Sequence, residues 1–207
     1  MDRIIIKQEA KEAIKGNRLS FWGATICTGV IGFAISALST LITKLLGGGL
    51  IGGAVGLVFS LVSFVASTTL ALGLIKMMKE LMDGESIQFT DVFSCFDLAV
   101  KVSWMQFLVG LKVFLWSLLL IVPGIIAALK YSMAMYILVD NPHLSASECI
   151  SASTEMMNGH KLDYFVFGLT FIGWILLCSV TCGIASLWVA PYMAAATANY
   201  YIHLRDY

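Results

Sequence analysis

The sequence predicts an all-α polytopic membrane protein with six transmembrane helices in three hairpins, each hairpin preceded by a cytoplasmic amphipathic helix. Three observations lead there. Of 207 residues, 59% are hydrophobic and 13% charged, against about 45–50% and 25% in soluble globular domains. Lipid is the solvent that can accept the surplus apolar surface. All 13 acidic residues and 10 of the 13 Lys/Arg fall in four clusters separated by long, nearly uncharged runs. Those runs, 19–43, 54–75, 102–122, 124–139, 164–182 and 184–202, lie near the ~20 residues (range ~17–25) that a span needs.

Residues 4–15 place Ile6, Ala10, Ala13 and Ile14 on one helical face and Lys7, Lys11 and Lys15 on another, the pattern of an interfacial helix. The segment is not expected to be a cleavable signal. Charges persist to Arg18, and the apolar run beyond it spans about 25 residues, longer than a signal core of ~7–15. The first hairpin is divided by Gly47-Gly48-Gly49 with Gly52-Gly53. The second span carries Gly52, Gly56, Ser60, Ser63, Ser67 and Ala71 at i+3/i+4 steps, a small face suited to close helix packing.

A second amphipathic helix is expected over 91–101, burying Val92, Phe93, Phe96, Ala99 and Val100, with Thr90 as N-cap. The apolar stretch 102–139 cannot be one helix. Its 38 residues would run about 57 Å, nearly twice a ~30 Å hydrocarbon core. Pro123-Gly124 is the turn signal that divides it. The third amphipathic helix, 146–157, sets Ala146, Cys149, Ile150, Met156 and Met157 opposite Glu148, Ser151, Thr154 and Glu155. Ser145 and Glu148 form a capping box, and Asn158-Gly159 stops the helix. Cys182-Gly183 divides the last hairpin, whose final span presents Ala190, Ala194 and Ala198 and is expected to kink at Pro191.

Lys and Arg decide orientation. Residues 1–18, 76–101, 140–163 and the tail after 202 contain ten cations, whereas the opposite side receives three tight turns with Lys44 alone. The positive-inside rule makes the charged side cytoplasmic, with both termini inside. The junction 14–21 (Ile-Lys-Gly-Asn-Arg-Leu-Ser-Phe) aligns with 157–164 (Met-Asn-Gly-His-Lys-Leu-Asp-Tyr). This recurrence suggests a threefold repeat of amphipathic helix and hairpin, although the middle junction lacks it. Its cation meets head groups and its aromatic anchors the span start.

Several motifs carry a family resemblance. They are Val122-Pro123-Gly124-Ile125-Ile126, Tyr131-Ser132-Met133-Ala134, Asp140-Asn141-Pro142, Met156-Met157-Asn158-Gly159-His160-Lys161, Phe171-Ile172-Gly173-Trp174 and Leu187-Trp188-Val189-Ala190-Pro191-Tyr192, with Ala10-Lys11 and Ile14-Lys15-Gly16-Asn17 near the start. In this order they resemble domain of unknown function 975, an uncharacterised family of Gram-positive integral membrane proteins, over nearly the whole chain. That family is distantly similar to membrane domains fused to some glycerophosphodiester phosphodiesterases. The resemblance implies residence in a bacterial plasma membrane and a six-span fold. It implies no activity and no catalytic residues.

Two charges interrupt the spans. Lys112 sits near the middle of the third, Lys130 lies seven residues after Pro123, and no Asp or Glu lies in any span to neutralise them. A mid-bilayer lysine costs about 2.5–3.5 kcal/mol on insertion scales. Three readings stand: snorkelling from a short hairpin, a polar cavity of carbonyls, hydroxyls and water, or a site for an anion such as a lipid phosphate or peptide carboxylate. The cytoplasmic interfacial set is Lys7, Lys11, Lys15, Arg18, His160 and Lys161. His143 and His160 near Asp140 and Asp163 read as loop and interface residues, so no metal is expected. The cysteines at 27, 95, 149, 178 and 182 read as small apolar filler.

No serine-hydrolase, zincin, P-loop or dinucleotide fingerprint is present, so no enzyme and no cofactor are expected. A net charge of zero offers nucleic acid no basic footprint. Residues 1–18 carry a net +2, residues 76–101 a net −2 and residues 140–163 a net −3, which suggests that the first helix docks on the later ones. Two functions follow. One is an interaction or regulatory component engaging a membrane-protein partner through the cytoplasmic helices. The other is a binding or transport protein for a lipid or amphipathic anion, using Lys112 and Lys130.

Overall fold

A computed structural model describes residues 3–45, 50–85, 87–181, 183 and 185–206; the side chains at 3–4, 15–21, 50–52, 89 and 187 fall outside it. Lys15, Arg18, the turn at Gly47-Gly48-Gly49 and Cys182 thus lie outside the described residues or side chains. Every element that is described is helical. Five helical stretches are long and apolar enough to cross a membrane: Trp22–Leu45, Gly53–Met82, Thr90–Leu119, Ile121–Asp140 and Lys161–Val180. The chain is a multi-pass membrane protein by this measure.

The first element is a single helix, α1 (Arg3–Leu45), where a surface helix ending at Gly16 and a separate span were expected. A glycine inside a helix costs only about 1 kcal/mol. Packing supports α1 before that glycine, since Ile6, Ala10 and Ile14 are all buried. Helix α2 (Leu50–Met82) continues past the expected span end at 75.

The expected helix over 91–101 is replaced by two 3-10 turns, Phe89–Phe93 and Phe96–Leu98, with α3 (Ala99–Leu119) beginning only afterwards. The N-cap is Gln88 rather than Thr90. Polar side chains here compete with helical hydrogen bonds: the Gln88 amide donates to Asp91 Oδ2 at 2.7 Å, and Ser94 Oγ donates to the Asp91 carbonyl at 2.7 Å. The first turn also lies directly on α2, where a Cβ on Gly73 would stand 2.0 Å from the Val92 carbonyl oxygen.

The next reversal falls at Leu120, which is extended (φ −162°, ψ 149°), three residues earlier than expected. Pro123 instead occupies the first turn of α4 (Ile121–Tyr131), where a missing N–H leaves no bond unmade. Gly124 lets α4 lie against α3, because a Cβ there would meet Ser117 Oγ at 2.1 Å. After a short interruption at Ser132-Met133 comes α5 (Ala134–Asp140), then α6 (Ala146–Met156), capped as expected by Ser145 and Glu148. Gly159 takes a left-handed φ of +86° and precedes α7 (Lys161–Leu169). Residues Thr170 and Phe171 separate α7 from α8 (Ile172–Val180).

The last helix, α9 (Ser186–Arg205), is 20 residues long but is not among the five apolar stretches. It buries Asn199, Tyr200 and Tyr201 together with Ala195, Ala196 and Ala198. A helix half enclosed by protein has less need of a lipid-compatible surface along that half.

The core gathers at the charge-bearing end, where Leu72, Met77, Met78, Met105, Met133, Leu138, Met157, Tyr200 and Tyr201 are essentially inaccessible. Away from it the helices expose Phe33, Leu45, Leu61, Leu118, Ile121 and Val180.

Candidate functional site

Lys112 and Lys130 converge on one polar recess. They lie eight and ten residues either side of the Leu120 reversal, about 12 and 15 Å along their helices, so the hairpin brings them to similar depth. The recess has a volume of about 480 Å³ and adds Lys161 from the start of α7, Tyr131 from the end of α4, and Ser147, Ser151, Thr154, Glu155 and Asn158 from α6 and its C-terminal side.

Local structure explains the convergence. The i+4/i+3 spacing of Ser147, Ser151, Thr154 and Asn158 sets them on one helical face, with buried Ile150 beside them in the recess lining, while Cys149, Ser153 and Met157 are buried away from it. Ser153 ties α6 to the end of α4. It accepts from the Met133 amide at 3.2 Å and donates to the Lys130 carbonyl at 2.8 Å. The N-terminus of α6 is fixed by Ser145, whose amide donates to Glu148 at 2.7 Å. That bond holds the Glu148 carboxyl below its ordinary range.

The lysines have partial local compensation. Lys112 Nζ stands 5.6 Å from the centroid of the Tyr131 ring, a cation–π separation. Lys130 occupies the last turn of α4, where the helix dipole favours a cation. Lys161 begins α7, where the dipole favours an anion instead. Three ammonium groups and one carboxylate, Glu155, thus face hydroxyls and an amide. The volume is within the ~300–1,000 Å³ usual for small-molecule sites. Such a lining can hold an anion and hydrogen-bond its substituents.

The other polar groups lock helices together. Asp140 is the hub: its Oδ2 accepts from Tyr201 Oη at 2.8 Å and from Arg205 at 3.2 Å. Lys79 Nζ pairs with Oδ1 at 2.7 Å. Asn199 donates to the Ile6 carbonyl at 3.1 Å and to Glu9 at 2.8 Å, and His203 pairs with Glu9 at 3.1 Å. These bonds hold the Glu9 carboxyl below its ordinary range. Lys7 donates to Thr170 and sits 4.5 Å from the Phe171 ring centroid, and burial lowers its pKa. The first helix therefore meets α7–α9, and the acid of 140–163 that forms the hub is paired from α2 and α9. His143 is exposed, and His160 is the N-cap of α7. No cluster of three His, Cys, Asp or Glu suited to a metal occurs among the described residues.

Residues 117–207 match the family model described as Protein of unknown function (DUF975). The DUF975 match covers somewhat under half of the chain. It takes in α4–α9, and with them Lys130, Lys161 and the α6 wall of the recess. Lys112 and the motif at 10–17 precede the matched residues, so the resemblance is shown over the later segment. No curated protein and no solved structure matches the chain. Within the DUF975 segment, the polar face of α6 was legible as a pattern. That this face turns toward Lys130 required the Ser153 clamp, because the pattern alone does not say which helix a face meets.

Proposed function

We propose that the protein is a non-enzymatic, multi-pass component of a bacterial plasma membrane that binds the anionic head group of an amphiphile in this recess. The observation that carries the reading is the placement of three lysines from α3, α4 and α7 around one polar volume walled by α6. An insertion cost of about 2.5–3.5 kcal/mol for a mid-bilayer lysine is offset when an anion occupies the site. In this reading α9 is the sixth span, the three hairpins place both termini in the cytoplasm, and the recess is reached from that side.

A partner-docking role for the surface helices has less support. Of the apolar residues it would offer, Ile6, Ala10 and Ile14 of α1 and Cys149 and Ile150 of α6 are already buried, and Phe93, Phe96 and Val100 of the middle segment are left exposed.

Native mass spectrometry of the full-length protein released from nanodiscs tests the proposal. An anionic lipid or amphiphile is expected to remain bound to the parent protein and to be lost from Lys112→Met/Lys130→Met, with helicity unchanged. Retention of the same adduct by the double variant overturns it.

A further inference from the structure

A second cavity, of about 240 Å³, lies between α1, α8 and α9 and shares no lining residue with the lysine recess. Its lining is graded. Lys11 stands at one end, and the walls are Trp22, Trp174, Trp188, Pro191 and Tyr192. Lys11 and Trp22 are eleven residues apart on the continuous α1, a rise of about 16 Å. The cavity is therefore charged at one end and aromatic along its length.

The aromatic walls hold one another in place. Trp22 meets Trp188 edge-on at 5.5 Å, and Trp174 meets Tyr192 at 6.2 Å. Edge-to-face pairs at these separations are favourable beyond the area they bury. Trp174 and Trp188 are nonetheless exposed, at 46% and 55%, so the groove opens sideways.

Lys11 is the one charged side chain in the described lining. Lys7 lies one helical turn before Lys11, on the same face, anchored over the Phe171 ring. The nearby carboxylate of Glu9 is engaged by Asn199 and His203. A groove that is apolar and laterally open in a bilayer takes up a chain, since an unfilled one forfeits dispersion contacts along its lining. Cations at its polar end select the head group.

We propose that this groove is a site for one anionic phospholipid of the surrounding bilayer, its phosphate at Lys11 and one acyl chain along Trp22, Trp174 and Trp188. The site is independent of the lysine recess. Juxtamembrane lysines each favour anionic lipid by about 1 kcal/mol, a factor of about five.

The tryptophans report occupancy directly. The full-length protein is placed in phosphatidylcholine nanodiscs containing a minor fraction of phosphatidylglycerol brominated in its acyl chains. Quenching of tryptophan fluorescence is expected to saturate and to exceed, about fivefold in apparent affinity, that from the same fraction of brominated phosphatidylcholine. Lys11→Gln removes the preference and Lys11→Arg restores it. Trp174→Phe/Trp188→Phe removes most of the saturable quenching specific to brominated phosphatidylglycerol, whereas Trp104→Phe/Trp116→Phe on α3 leaves it. Lys112→Met/Lys130→Met leaves the preference intact, which separates this site from the recess. Equal quenching by the two brominated lipids, or a preference that survives Lys11→Gln, overturns the proposal.

Discussion

The two ends of this molecule are held together by different means. At the charged end, α1, α2, α5, α6 and α9 share a core of methionines and tyrosines crossed by polar contacts. Asp140 joins three helices, Asn199 joins α9 to α1, and Ser153 joins α6 to α4. At the other end the helices present Phe33, Leu61, Leu118 and Val180 outward, and no residue between Thr25 and Leu45 is buried. The hydrophobic effect offers little to drive helices together inside lipid, so packing and interhelical hydrogen bonds do so instead. Tertiary specificity is concentrated at the charged end, and the apolar end takes its surroundings from the bilayer.

Glycine substitutions break this contrast most sharply. Gly73→Ala is expected to cost about 3 kcal/mol, the upper part of the overpacking range, because its Cβ would collide with the Val92 backbone. Gly29→Ala and Gly53→Ala, with nothing within 4 Å of a new Cβ, are expected to be neutral or slightly stabilising. Thermal unfolding in one detergent measures all three. Equal losses would show that the apolar end is as tightly packed as the charged one.

Asp140→Ala comes next, at about 1–3 kcal/mol, since it leaves Lys79, Tyr201 and Arg205 without their shared acceptor. Ser153→Ala is expected to cost about 1–2 kcal/mol by the same argument and to weaken anion binding in the recess, because α6 loses its tie to Lys130. Titration of denaturation by sodium dodecyl sulfate reads the first, and the adduct in native mass spectrometry reads the second.

The smallest effect is a pH dependence at Glu9. Its folded pKa is depressed by Asn199 and His203, so its contribution is present above the unfolded value near 4.5 and is lost as pH falls through the folded one. Glu9→Gln is expected to flatten that acid limb of the stability curve. An unaltered limb would mean that the Glu9 contacts contribute nothing to the joint between α1 and α9.

Sequence reading fared differently in the two regions for a physical reason. Hydrophobic runs announce helices in lipid directly, and five of the six expected runs correspond to stretches apolar enough to span. The exception, α9, is buried over its C-terminal half, where Asn199, Tyr200 and Tyr201 obey the chemistry of a core rather than of a bilayer. The capping box at Ser145 was legible because it is local. The replacement of a helix over 91–101 was not, since it depends on how closely Val92 can approach Gly73 from another element. Pro123-Gly124 correctly marked a reversal but not its position: proline is comfortable inside the first turn of a helix, and Leu120 makes the bend.

In the candidate recess, Lys112 and Lys130 stood out because charge is rare in spans. Lys161 did not, because cations are ordinary at an interface. Its membership of the same site follows from where α7 begins relative to α6, a relation set by Gly159 and the loop around it.

The Ser153 clamp carries a consequence for biogenesis. The amide of Met133 and the carbonyl of Lys130 find the Ser153 hydroxyl twenty and twenty-three residues later in the chain. While the ribosome is still making that stretch, the α4–α5 interruption is without its bridge, and a buried backbone group left unsatisfied costs about 1–3 kcal/mol. The bridge across the α4–α5 interruption can therefore close only after α6 has been made.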